Sequence, residues 1–504
     1  MHIMNRLFAA WEAEGIRYIH FKSNRALGQS FAGRGDFDVL ADRDRVSDAE
    51  RVLTSLGAKR FNKPRYGVYP GVDNWLLFDG ETGGLYHLHL HYQIASGKPY
   101  LKEYIIPWSE ALFATRVRDG QTGIYISLPE MELLLLTVRA VIKSRCGDWV
   151  KARVGAYRMH ASLREERQEL LSRVDPDRVL ALSRELFRHV SPEAVTAVSL
   201  KADWDGWNFR QATKLIRREL AVWRRFSPAG SQARAIGLFL GDGWNKFARR
   251  KLGKCRVEKK VTLSGGRIIA FVGVDGAGKS TVKDEIYRWM GKQIESRRFY
   301  MGTGDGKVNP VARLLKKGAR KLAGAPSSGA KAPQTDRPAP APISFRKSPM
   351  GYLKKVMAGV MVSSVERDNE RKMKAMNRYR LAGGVSLLDR YPQIELAGKN
   401  DGPKIAGYRA RVDRSRLLDR LAQKEERRLA LVREIRPDLI FRLNISAETS
   451  MARKPEQQDI ETFRGKIQEL RQITFQGARI VDIDAEQPFE RELLEIKRII
   501  WESF

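Results

Sequence analysis

Cysteine is nearly missing from this chain: two in 504 residues, Cys146 and Cys255. Neither belongs to a C-x-x-C pair, so a disulfide framework is excluded and a reducing cytoplasm is the fitting compartment. Long apolar runs are missing too. No stretch approaches the roughly 18 consecutive apolar residues of a membrane-spanning helix. The opening segment, MHIMNRLFAAWEAEGIRYIHF, places Glu12 and Glu14 where a secretory signal needs an apolar centre. Acidic residues are also scarce: 59 Asp and Glu face 92 Lys and Arg, a net charge of +33. A chain so unbalanced is drawn to polyanions, whether phosphorylated substrates, an anionic membrane face or, less favoured, nucleic acid. The expected location is therefore cytoplasmic, with peripheral contact at the inner membrane face.

What is present is enough apolar material, 42% of residues, to fill more than one core. Residues 1–130 mix helix and strand signals. MNRLFAAWEAEG reads as an amphipathic helix stopped by Gly15, whereas FDVLAD and GLYHLHLHYQI read as strands. Residues 131–263 are basic and mostly helical, with helical spacing in PEMELLLLTVRAVIKSR, RVLALSRELFRHV and WNFRQATKLIRRELAVWRRF. Residues 264–504 alternate strand and helix, which predicts an α/β fold: a parallel sheet with helices on both faces. Within it, residues 324–344, rich in Pro, Ala and Ser, cannot fill a core and read as a disordered insertion or lid.

GVDGAGKS, Gly273 to Ser280, fits G-x-x-x-x-G-K-[ST] between an apolar strand, RIIAF, and a helical stretch, TVKDEIYRWM. Glycines let successive N–H groups turn inward around phosphate oxygens, and the helix N-terminus adds its positive dipole end. Lys279 is expected at the β- and γ-phosphates of ATP and Ser280 at Mg²⁺. Gly273, Asp275, Gly276, Ala277, Gly278 and Thr281 complete the expected nucleotide cradle.

With Asp275 third in the loop and Thr281 after the serine, VGVDGAGKST resembles the thymidylate kinase family of P-loop nucleoside-monophosphate kinases. Further matches follow in that family's order. SLLDRYP (386–392) is similar to its D-R-Y element, RPDLIFRLNIS (436–446) to its PDL strand, ARKPEQQDIETF (452–463) to its lid, and ARIVDIDA (478–485) to its last strand. The resemblance spans residues 264 to 504. It implies ATP-dependent phosphoryl transfer, at its most specific dTMP + ATP → dTDP + ADP. Asp389, at the end of an apolar strand, is a candidate to hold Mg²⁺, and Arg390 to neutralise phosphate charge. Position 276 is glycine, so the resemblance moves the catalytic arginines to the lid, where Arg453, Lys454 and Arg464 are candidates.

The chain departs from that family where an R-E-P-G element contacts the acceptor: RRFYMGTGDGKV (297–308) stands there, with Asp305 able to bind a phosphate or a sugar hydroxyl. The acceptor is accordingly left between a nucleoside monophosphate and a sugar or glycan phosphate of cell-envelope polysaccharide synthesis. A third reading, from a different class, is an ATP-operated binding switch.

Near the N-terminus, GRGDFDVLAD sets Asp36 and Asp38 on one face of a strand, the spacing with which two carboxylates grip divalent metal. HFKSNRAL (20–27) precedes it and LHLHYQI (88–94) follows. The region resembles a small nucleotidyltransferase-like α+β domain, with Lys22-Ser23 in place of a Gly-Ser turn and His89 or His91 where an acid is expected. His87, His89 and His91 alternate and are expected on one side. Between Trp204 and Lys260, Trp223, Phe226, Phe239, Trp244 and Phe247 are interleaved with arginines. That pattern suits packing between domains, a membrane surface or stacking on nucleic acid. An oligomer is compatible with the sequence.

Overall fold

The computed structural model describes residues 1–63, 68–144, 146–251, 257–291, 293–301, 344–345, 348–398, 402–413, 415–453 and 460–504. Lys454, Asp305, Cys255 and residues 324–343 lie outside them. The chain divides into two units, Met1–Leu263 with Phe504, and Ser264–Ser503.

The first unit is α+β. Its strands are β1 (Tyr18–His20), β2 (Asp36–Ala41), β3 (Lys59–Asn62), β4 (Val72–Phe78), β5 (Leu85–His91), β6 (Ile94–Ser96), β7 (Tyr104–Ile106), β8 (Val117–Arg118), β9 (Tyr125–Ile126) and β10 (Val261–Thr262). Eight of them form one sheet in the order β10-β3-β4-β5-β2-β1-β9-β8; β6 and β7 pair separately. The helix Ile3–Ala13 ends just before Gly15, whose φ of +69° suits a residue without Cβ. It buries Leu7, Phe8 and Trp11 against Phe37 and Leu88 of the sheet.

A second core of this unit gathers around the helix Pro129–Ile142, which starts with Pro at its first turn and Glu130 and Glu132 toward the positive end of its dipole. Leu133 to Leu136 of that helix are all buried, because other helices cover it on several sides; Phe209 and Ile216, from the helix Gly206–Glu219, are among its neighbours.

The second unit holds five parallel strands: β11 (Ile268–Val272), β12 (Ser296–Tyr300), β13 (Val385–Asp389), β14 (Leu439–Asn444) and β15 (Ile480–Asp484), in the order β12-β13-β11-β14-β15. This is the α/β architecture the alternation implied. β11 lies at the centre and is buried throughout, as a strand covered on both faces must be. Ile268, Ala270 and Val272 pack with Met373 and Met376 of the long helix Pro349–Leu381, and with Val432 of the helix Arg416–Glu434. The strand order reverses beside β11, so a crevice opens at the carboxyl ends of β11 and β13.

Candidate functional site

The chain leaves β11 at Val272, turns through residues 273–278 and enters the helix Lys279–Met290. The glycines have separate reasons. A Cβ on Gly273 would stand 2.9 Å from the Leu443 carbonyl oxygen; Gly276 and Gly278 hold φ of +91° and +80°. The loop is fastened from outside. Ser450 Oγ donates to the Asp275 carbonyl at 2.6 Å, and Arg453 donates to the carbonyls of Gly276 and Ala485 at 3.2 and 3.3 Å. Lys279 is buried, its Nζ 2.9 and 2.7 Å from the carbonyl oxygens of Gly273 and Val274.

Asp389 ends β13 beside this loop, buried, and accepts a short hydrogen bond from the Ser280 hydroxyl. Lys283 Nζ stands 3.6 Å from the same carboxylate. The sequence pattern missed Lys283, although it lies one turn beyond Ser280 and so on the same helix face. Ser280 and Asp389 supply adjacent hard oxygen donors, the chemistry that fits Mg²⁺. Arg390 has φ of +69°, an uncommon conformation for a non-glycine residue. Its amide donates to the Phe271 carbonyl at 3.0 Å and its guanidinium pairs with Asp275 at 3.0 Å. Lys279, Ser280, Asp389, Arg390 and Arg453 thus all touch the loop or its immediate neighbours. Arg464 instead pairs with Glu448 and Glu461, at 2.9 and 2.8 Å.

A cavity of about 240 Å³ opens next to this cluster, where Met301 N–H donates to the Asp389 carbonyl at 3.1 Å. Met301, Met361, Val365, Met373 and Val432 are among its apolar lining residues. Its polar wall comes from Glu366, Asn369, Glu425 and Arg428. Arg428 pairs with Glu366 at 2.9 Å, while Glu425 accepts from the amides of Lys404, Ile405 and Ala406 at the start of a helix. Burial, then the hydrogen bond that Glu366 donates to the Glu425 carboxylate, pushes Glu366 up to about 8. None of these residues stands in a recognisable motif.

In the first unit, β2 and β5 run parallel with Asp36 opposite His87 and Asp38 opposite His89. Asp36 meets His87 Nδ1 at 2.7 Å; Asp38 meets His89 Nδ1 at 2.9 Å and Lys22 Nζ at 2.8 Å. Asp38, His89 and His91 bring ligand atoms within 4.8 Å of one another. Burial holds the imidazoles neutral, with His87 pushed down to about 3. The ammonium of Lys22 stands where a metal ion bound to Asp38 would place its charge. The turn before β2 keeps a glycine-like shape without glycine: Ser23 has φ of +56°, and Glu132 accepts from the amide and side chain of Asn24 at 2.9 and 2.8 Å.

The helix Pro228–Lys251 leaves Ile236, Phe239, Leu240, Trp244 and Phe247 exposed, so these side chains are not buried in packing. Among the described residues no helix is long and apolar enough to cross a membrane.

No protein-family model matches the chain. It is similar to two proteins of Escherichia coli K12. The uncharacterized ATP-binding protein YghR is 29% identical over 238 residues, 46% of this chain and 86% of YghR. The uncharacterized ATP-binding protein YghS is 28% identical over 236 residues, 46% of this chain and 92% of YghS. Among solved structures, deoxyadenosine kinase from M. mycoides with the products dCMP and a flexible dCDP bound is 15% identical with a TM-score of 0.27, covering 47% of this chain and all of that one. The same enzyme with bound dATP gives 15% and 0.26 over 46% of this chain.

Proposed function

We propose that the second unit is an ATP-dependent phosphotransferase that passes the γ-phosphoryl group to a small acceptor seated beside Asp389 and Arg390. The observation that carries this reading is the meeting of Lys279, Ser280 and Asp389 at one loop, at the carboxyl ends of two neighbouring parallel strands. The similarity to proteins named as ATP-binding supports the nucleotide half.

Phosphoryl transfer asks for position and charge neutralisation more than for covalent help. The loop amides and Lys279 hold the β- and γ-phosphates. Ser280 and Asp389 are the residues to hold Mg²⁺, which when bound neutralises phosphate charge. Arg390 and Arg453 stand at the loop to meet charge on the transferring group. Lys283, 3.6 Å from Asp389, holds that carboxylate in place.

For the acceptor, the finer reading is a nucleoside monophosphate, of which dTMP is the most specific candidate. Three methionines and three valines in the adjacent cavity suit the flat face of a base better than a hydroxyl-rich sugar. Acceptor-dependent ADP release, measured over nucleoside monophosphates and sugar phosphates, tests this. Release with dTMP or another nucleoside monophosphate is expected; release with sugar phosphates alone assigns the unit to glycan chemistry, and nucleotide binding without turnover assigns it to a switch.

A further inference from the structure

The first unit contains a concentration of positive charge of its own. A cavity of about 30 Å³ is lined by Lys22, Lys102, Arg139, Lys143, His89 and His91, among others. No acidic side chain lines it among the described residues; Asp38, behind Lys22, is the carboxylate set against these basic residues. Through Arg139 and Lys143 it shares a wall with a wider cleft of about 650 Å³, whose lining adds Lys151, Arg158 and His160, and the acids Asp148 and Glu166.

Two further facts point to a missing partner. Arg139 Nη1 is buried without a hydrogen-bond partner among the described residues. An unmatched buried donor costs on the order of 1–3 kcal/mol, so a ligand that supplies acceptors would recover that cost. Burial, followed by repulsion from Lys22 and Arg139, also pulls Lys102 down to about 8. Cations held close enough to weaken one another are stabilised by an anion and repel a divalent metal.

We propose that this cavity binds the phosphoryl group of a phosphomonoester, with the rest of the ligand lying in the adjoining cleft, and that Lys22 takes the place a metal ion would hold on Asp38. Space for about two waters matches the outer oxygens of a phosphoryl group whose ester bond leads outward. Lys102 and Arg139 supply charged donors, and Lys143, pulled down to about 6 by burial and then by Arg139, supplies a neutral one; Asp38 fixes Lys22, and Asn24 with Glu132 fixes the turn that carries it. The site belongs to the first unit and does not rest on the kinase reading.

The test is calorimetric titration of the full-length protein carrying Lys279→Ala, in EDTA, with inorganic phosphate and with ribose 5-phosphate. Binding without divalent metal is expected, with ribose 5-phosphate tighter by about fivefold or more because the cleft adds contacts. Lys102→Gln and Arg139→Gln should each weaken it by about tenfold, and Lys102→Arg should retain it. Melting curves confirm that each variant is folded before titration. No binding at millimolar ligand, or binding as tight as the parent's in both glutamine variants, overturns the proposal. Binding that needs Mg²⁺ or Mn²⁺ and is lost in Asp38→Asn makes this a metal site instead. Equal affinity for the two probes removes the cleft from the account.

Discussion

The Ser280 hydroxyl donates to the Asp389 carboxylate, tying the first turn of the phosphate-loop helix to the last residue of β13. Two distant segments of sequence therefore share one oxygen-rich corner beside Lys279. Asp389→Asn keeps the shape but removes the charge. Turnover should fall by about two to four orders of magnitude, and the Mg²⁺ concentration for half-maximal rate should rise. A Mg²⁺ titration of ADP release checks both; an unchanged titration curve would reduce Asp389 to a structural partner of Ser280.

Gly276 has φ of +91°, and a Cβ there would lie 3.2 Å from the Ser450 carbonyl oxygen. Gly276→Ala should weaken ATP binding by more than about tenfold, because the loop can no longer turn its amides inward. Gly57, at φ of +73° with open space around it, serves as the control. Gly57→Ala should lower Tm modestly and leave nucleotide affinity alone. Titration calorimetry on both variants separates loop geometry from general strain.

Glu366 keeps its proton in the folded state up to about pH 8, against 4.5 for an ordinary glutamate. The folded chain thus binds more protons than the unfolded chain between those values, and stability contributed by this group falls as pH rises through that window. Glu366→Gln mimics the protonated form. Its Tm should match the parent near pH 4.5, exceed it increasingly up to about pH 8 and exceed it by a constant margin above that. Thermal melts across pH 5 to 9 measure the gap; parallel curves would mean that Arg428 keeps Glu366 ionised.

The phosphate loop, Asp389 and the parallel sheet were legible in the sequence because each is local. A loop of fixed spacing, a strand ending in D-R and a repeated strand-helix alternation need no knowledge of distant residues. Lys283 was legible in principle, one turn beyond Ser280, but the apolar period of Val282 and Ile286 hid it. The cavity wall of Glu366, Glu425 and Arg428 was not legible at all, since it depends on the long helix Pro349–Leu381 crossing Arg416–Glu434. In the first unit the alternating histidines predicted one shared face. That Lys22 would reach Asp38 depends on the antiparallel pairing of β1 with β2, which residue spacing does not reveal.

Arg167 has no exposed surface and is bound by carbonyls: it donates to those of Val198, Ser199 and Lys201 and to Thr137 Oγ1, with its guanidinium over the Trp204 ring at 4.9 Å. Burial lowers it to about 10, so it stays charged at neutral pH. Arg167→Met fills much of the space but strands these acceptors and should cost about 3 kcal/mol. Chemical denaturation followed through the first unit measures this, and a loss below about 1 kcal/mol would show that water replaces the guanidinium.

The central claim is that the loop at Gly273–Ser280 delivers the γ-phosphoryl group of ATP to an acceptor. The most direct measurement is transfer of radiolabelled γ-phosphate to nucleoside monophosphates, dTMP first, by the full-length protein and by Lys279→Ala. The loop amides position phosphates, but only the ammonium adds a full mobile charge to the transferring group. The account predicts a labelled acceptor with the parent protein and a loss of several orders of magnitude in a folded Lys279→Ala variant. Equal transfer by the two proteins would contradict it.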